Sequence, residues 1–129
     1  MILRNDLTEC MAFEIVYFDA ENFRGNFKHL SKSQLMWLSQ MIFRELQCLE
    51  FGEIREGLSK ALGKGLFELR LQKNPELLIR IFWAYALDSR IVILDGYDKK
   101  RDSSKLTQQR HISRSRSRLD DFRDEEYHK

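Results

Sequence analysis

Three apolar segments joined by short turns constrain this chain more than any other feature. They are GLFELRL, LLIRIFWAY and IVILDGY, between Gly65 and Tyr97. The first two flank Gln72-Lys73-Asn74-Pro75-Glu76, a turn signal, and each alternates with the period of two that belongs to a strand. Phe67, Leu69 and Leu71 share one face of the first segment, and Leu66, Glu68 and Arg70 share the other. In the second, Leu77, Ile79, Ile81, Trp83 and Tyr85 alternate with Leu78, Arg80, Phe82 and Ala84. A turn centred near Pro75 sets Arg70 directly opposite Arg80. Like charges facing each other across a sheet destabilise it, so the pair needs counter-charge. The third segment follows the turn Leu87-Asp88-Ser89, and symmetric pairing places Asp95 beside Arg80 with Tyr97 on the same face. Two readings follow: Glu68 and Asp95 neutralise the arginines, or the two planar guanidiniums converge on an external phosphate.

The remaining elements are read around this meander. AFEIVYF, residues 12–18, alternates like a strand. Ser31 and Gln34 form a capping box ahead of Leu35, Leu38, Ile42, Leu46 and Leu49, which recur at helical spacing up to a capping Gly52. Ile54, Leu58, Ala61 and Leu62 hint at a short helix, whereas the glycines among them favour a loop. Residues 1–10 read as a possible extension before Met11. Residues 106–129 carry sparse apolar contacts at Ile112, Leu119 and Phe122 and read as a basic helix or a mobile tail. Without repeats or Gly/Ser linkers, the 129 residues form one domain, 1–129. Cys10 and Cys48 lack metal or redox spacing and read as free thiols or a single bridge. No apolar run approaches the ~20 residues of a membrane span, so a cytoplasmic protein without membrane contact is expected. The basic residues Lys99, Lys100, Arg101, Lys105, Arg110, Arg114, Arg116 and Arg118 are set against only Asp98 and Asp102 in that stretch, which suits a polyanion.

GLFELRL, LLIRIFWAY and IVILDGYDKK, taken in that order over about residues 54–105, resemble the RelE/HigB-type toxins of bacterial toxin–antitoxin pairs, in particular the phage-derived HigB branch. The resemblance implies an α+β, RelE-like two-layer fold: a small, mainly antiparallel sheet with helices packed on one face and the arginine-bearing face as the active surface. It implies an endoribonuclease that cleaves mRNA on the ribosome without metal or cofactor, until a helix-turn-helix (HigA-like) antitoxin blocks it. Carried over by position, its catalytic residues are Arg70, Arg80, Tyr97, Lys99 and Lys100. Arg70 and Arg80 would stabilise phosphate charge, a lysine would bind phosphate or shift a proton, and Tyr97 would stack on a base or act as acid or base if cations lower its pKa. Arg101, Lys105, Arg110, Arg114 and Arg116 are the expected RNA contacts. His111 suits acid–base work by residue type, but a lone histidine in a basic helix reads first as a surface residue. RDSSKLTQQ departs from the Thr-x-Lys-Thr-Pro stretch of many such toxins. Two other functions fit the same residues: a toxin that inhibits DNA gyrase by binding it, and an inactive module that binds an antitoxin-like partner.

Overall fold

A computed structural model describes residues 13–47 and 58–128. Cys10, Cys48, the possible extension, Leu49, Gly52 and Ile54 lie outside them. In chain order the elements are β1 (Glu14–Tyr17), α1 (Ala20–Asn26), α2 (Lys32–Ile42) running into a π-helical turn (Phe43–Gln47), β2 (Ser59–Gly63), β3 (Leu66–Lys73), β4 (Leu77–Ala86), β5 (Arg90–Asp98) and α3 (Lys105–Tyr127). The five strands form one sheet in the order β1-β5-β4-β3-β2, parallel only between β1 and β5. Among the described residues no helix is long and apolar enough to cross a membrane.

The hairpin expected around Asn74-Pro75 is present, and Arg70 stands opposite Arg80. The register of β4 and β5 differs from the expectation by two residues: the pairing next to the turn, Ala86 with Arg90, would by itself set Arg80 opposite Gly96, and one extra residue on β5 at the Phe82–Trp83 step moves the partner on to Tyr97. Tyr97, not Asp95, faces Arg80, and Asp95 faces Phe82. The bulge turns Leu94 and Asp95 to the same face, which simple alternation forbids.

Two segments depart from their sequence patterns. Ser59–Gly63 is a strand despite its helical spacing. Gly63, Lys64 and Gly65 all take positive φ, so the chain doubles back and pairs with β3. The short α1, which carries no long periodic signal, is started by Asp19, whose side chain accepts from the Asn22 N–H at 2.9 Å. The capping box at Ser31 and Gln34 forms as expected.

The α+β class and the mainly antiparallel sheet follow the expectation; the placement of helices on one face needs correction. The α1–α2 layer covers one face, where Phe23, Phe27, Leu38, Ile42 and Leu46 pack on Leu69, Ile79, Ile81, Trp83, Ile91 and Ile93. The other face is also apolar over Leu66, Phe82, Ala84, Val92 and Leu94, and α3 covers it with Ile112, Leu119 and Phe122. Central strands apolar on both sides require cover on both sides. Residues 106–129 are thus described as helix up to Tyr127, capped by Ser104, which accepts from Thr107 N–H at 3.1 Å.

Gly96 marks the closest approach of α1 to the sheet: a Cβ there would lie 2.7 Å from Phe23 Cε1 and 2.9 Å from Ile81 Cδ1. Gly25, inside α1, has open space around its Cα. Gly96→Ala is expected to lower unfolding stability by about 1–3 kcal/mol through overpacking, and Gly25→Ala to raise it by roughly 0.5–1 kcal/mol through helix propensity. Urea titration of both variants checks the contrast, and equal effects would contradict it.

Candidate active site

Across β3, β4 and β5, Arg70, Arg80 and Tyr97 form one row of directly facing residues on the side covered by α3. Among the described residues, the carboxylate paired with Arg80 is Glu68, whose Oε2 lies 3.9 Å from Arg80 Nε. Glu68 also accepts from Gln108 of α3 at 3.5 Å. Asp95, expected as the second counter-ion, is taken up elsewhere: it lies 2.7 Å from His111 Nδ1 and 3.5 Å from Arg114 Nε, and accepts from the Asn26 amide at 3.2 Å. Arg80 therefore has one distant carboxylate partner and a second cation facing it across the hairpin. Burial pulls the Arg80 guanidinium below its ordinary pKa; Glu68 and Tyr97 oppose the shift, and Arg70 adds to it. The buried Nε of Arg70 has no hydrogen-bond partner among the described residues. Both arginines open onto a cleft of about 310 Å³, lined also by Met41, Leu58, Gln72 and Leu78.

Tyr97 is a buried floor of the site. Its ring is parallel to that of His111 at 4.2 Å, and to that of Phe82 on the sheet at 6.4 Å. Burial raises its pKa, with Arg80 opposing and Glu68 and Asp102 reinforcing the shift. The condition set for an acid–base role, a lowered pKa, is not met, and a stacking base finds one face of the ring already occupied by His111.

The remaining sequence candidates divide. The backbone of Lys99 and Lys100 is pinned at the end of β5, with Lys99 N–H donating to Leu78 O at 2.7 Å and Lys100 N–H to Asp98 Oδ1 at 3.0 Å. Arg101, Lys105 and Arg110 are exposed. Arg114 and Arg116 have partners within the protein: the former has Asp95, and the latter donates to Leu62 O at 2.7 Å and Gly63 O at 3.1 Å. Arg118 binds Leu94 O at 2.7 Å and Asn22 Oδ1 at 3.0 Å, and lies over the Phe18 ring. Much of the basic stripe on α3 therefore anchors the helix to the sheet and α1.

A second cleft, of about 250 Å³, opens at the end of β5, and Tyr97, His111, His29, Asp98, Arg101 and Lys28 are among its lining residues. His29 follows α1, and its Nε2 lies 3.0 Å from Asp98 Oδ2. No local pattern marks His29 or Asp98 as a pair, because their approach depends on α1 folding over the end of β5.

A family described as "Phage derived protein Gp49-like (DUF891)" matches residues 26–120, a stretch that holds every site residue named above. No curated protein and no solved structure matches the chain.

The Tyr97 hydroxyl is buried without a hydrogen-bond partner among the described residues. Tyr97→Phe removes that unsatisfied group and keeps the stacked ring, so its unfolding stability is expected to equal or exceed that of the wild type by up to about 1–2 kcal/mol. A loss of that size in thermal unfolding would show that the hydroxyl is bonded in solution. Because burial raises the tyrosine pKa in the fold, stability is full below the ordinary value of about 10 and falls as pH rises through the folded value. Tyr97→Phe should flatten that alkaline loss.

Proposed function

The chain belongs to the phage-derived Gp49-like family, a family of RelE-like toxins in toxin–antitoxin systems, and on that premise we propose that it is an endoribonuclease. A toxin of such a pair has an antitoxin as its partner. In this reading the chain is of the HigB branch, acts in the cytoplasm, cleaves mRNA on the ribosome without metal, and is held inactive by a helix-turn-helix (HigA-like) antitoxin. The observation that carries the proposal is the Arg70–Arg80 pair, which faces itself across the hairpin with Glu68 beside Arg80 and opens onto a cleft. A fold that tolerates such repulsion gains from an anion that relieves it, and the planar guanidinium matches phosphate geometry.

In the reaction the 2′-hydroxyl attacks the adjacent phosphorus and gives a cyclic phosphate and a free 5′-hydroxyl. Arg70 and Arg80 hold the non-bridging oxygens and stabilise the charge that grows in the transition state. Lys99, Lys100, Arg101, Lys105 and Arg110 bind the flanking phosphates, and Arg114 and Arg116 keep α3 seated beside them. Tyr97 supports the site as a rigid surface rather than as a proton carrier.

Arg70 and Arg80 repel each other, so Arg70→Ala should change unfolding stability by no more than about 1 kcal/mol. The same substitution should lower RNA cleavage by about 10²–10³-fold. Induced expression tests this: the wild type arrests growth and leaves mapped mRNA breaks with 5′-hydroxyl ends, while Arg70→Ala and the Arg70→Ala/Arg80→Ala double variant, both folded by circular dichroism, do neither. Growth arrest by wild type and variants alike, with mRNA intact, would contradict the nuclease and point to a protein target.

A further inference from the structure

Two histidines far apart in sequence line the same cleft at the end of β5. Each has one ring nitrogen fixed by a buried aspartate: His111 Nδ1 by Asp95 Oδ2 at 2.7 Å, and His29 Nε2 by Asp98 Oδ2 at 3.0 Å. The opposite nitrogens, Nε2 of His111 and Nδ1 of His29, have no hydrogen-bond partner among the described residues. Both aspartates are held in turn. Asp95 accepts from the Asn26 amide and Gly96 N–H, and Asp98 from the N–H groups of Leu78 and Lys100. A ring oriented by a carboxylate, with its other nitrogen free, is the arrangement used to move protons.

The cleft adjoins the arginine row. Tyr97 belongs to both, since its backbone faces Arg80 and its ring carries His111 stacked flat upon it. Lys28 and Arg101 line the same opening and supply positive charge. Asp102, also in the lining, accepts from Ser104 N–H and the Thr107 hydroxyl, and those bonds hold its carboxyl below the ordinary value.

We infer that His111 and His29 are the acid–base pair of this site, the substrate being a single RNA phosphodiester beside the arginine row. The inference rests on the ribonuclease reading and adds the proton carriers that reading lacks. One imidazole takes the proton of the 2′-hydroxyl as its oxygen bonds to phosphorus. The bond from phosphorus to the 5′-oxygen breaks, and the other imidazole, entering protonated, gives that oxygen its proton. The products are a 2′,3′-cyclic phosphate and a 5′-hydroxyl. The two rings finish with their protonation exchanged and return to the starting state through water, with no change of oxidation state. Asp95 and Asp98 are positioning residues.

The test compares the wild type, His111→Gln, His111→Phe, His29→Gln and Arg70→Ala. The substrate is a short mRNA, free and bound to ribosomes, with either the ordinary phosphodiester or sulfur in place of the bridging 5′-oxygen. His111→Phe keeps a flat ring on Tyr97 without a titrating group. A thiolate leaves without needing a proton, so the sulfur substrate bypasses the acid. Each histidine substitution is expected to slow cleavage of the ordinary substrate by about 10²–10⁴-fold. On the sulfur substrate the variant that lacks the acid recovers to within about tenfold of the wild type, whereas the variant that lacks the base stays slow. Cleavage of the ordinary RNA within about threefold of wild type by either glutamine variant, or equal slowing of both on both substrates, overturns the pair. If Arg70→Ala is inactive in that case, the nuclease reading stands without the histidines. Failure of the wild type to cleave either substrate in either form overturns the nuclease reading and the pair together.

Discussion

Asp95 ties together three parts of the molecule, the sheet, α3 and α1. It sits on β5, has 1% of its surface exposed, and is bound by His111 and Arg114 of α3 and by Asn26 at the end of α1. A carboxylate this deeply buried is tolerable only when its oxygens are bonded and its charge is matched. That requirement holds the basic helix down on the sheet at a fixed place. It also removes Asp95 from the arginine row, which keeps Glu68 as its counter-ion. The positive charge of the candidate site is thus a consequence of how the helix is anchored.

The anchoring continues along α3 by a second means. Arg116 and Arg118 donate to the carbonyls of Leu62, Gly63 and Leu94, each at a point where the sheet is irregular or turning. Backbone carbonyls released at a turn and a bulge need donors, and long guanidinium side chains reach them while their stems cover apolar surface. Leu119, Ile112 and Phe122 add the apolar contact. The helix is polar along most of its length, so these few contacts fix its position.

Sequence patterns carried the central hairpin because its evidence is local: strict alternation on both sides of a turn dipeptide determines which residues face each other, and Arg70 indeed faces Arg80. The position of Asp95 was lost to two single-residue differences, the pairing at the turn and one extra residue opposite the Phe82–Trp83 step, since register beyond a bulge cannot be counted from the turn. Ser59–Gly63 reads as helix by spacing, and its pairing with β3 overrode that weak preference. His111 drew attention by residue type alone. Its meaning depends on Asp95 and Tyr97, sixteen and fourteen positions away and on another element. The two-sided cover of the sheet was legible in principle, because Phe82, Ala84, Val92 and Leu94 leave no polar face in the middle of β4 and β5.

In the proposed function the arginine row is where an RNA phosphate binds. The most direct measurement is a crystal structure with a short RNA whose 2′-hydroxyl at the scissile position is replaced by hydrogen, which blocks attack and leaves the phosphate in place. The account predicts that phosphate within hydrogen-bond distance of the Arg70 or Arg80 guanidinium, with the adjoining ribose toward Tyr97 and His111. A phosphate bound instead along the exposed side of α3, with the Arg70–Arg80 cleft empty, would contradict it.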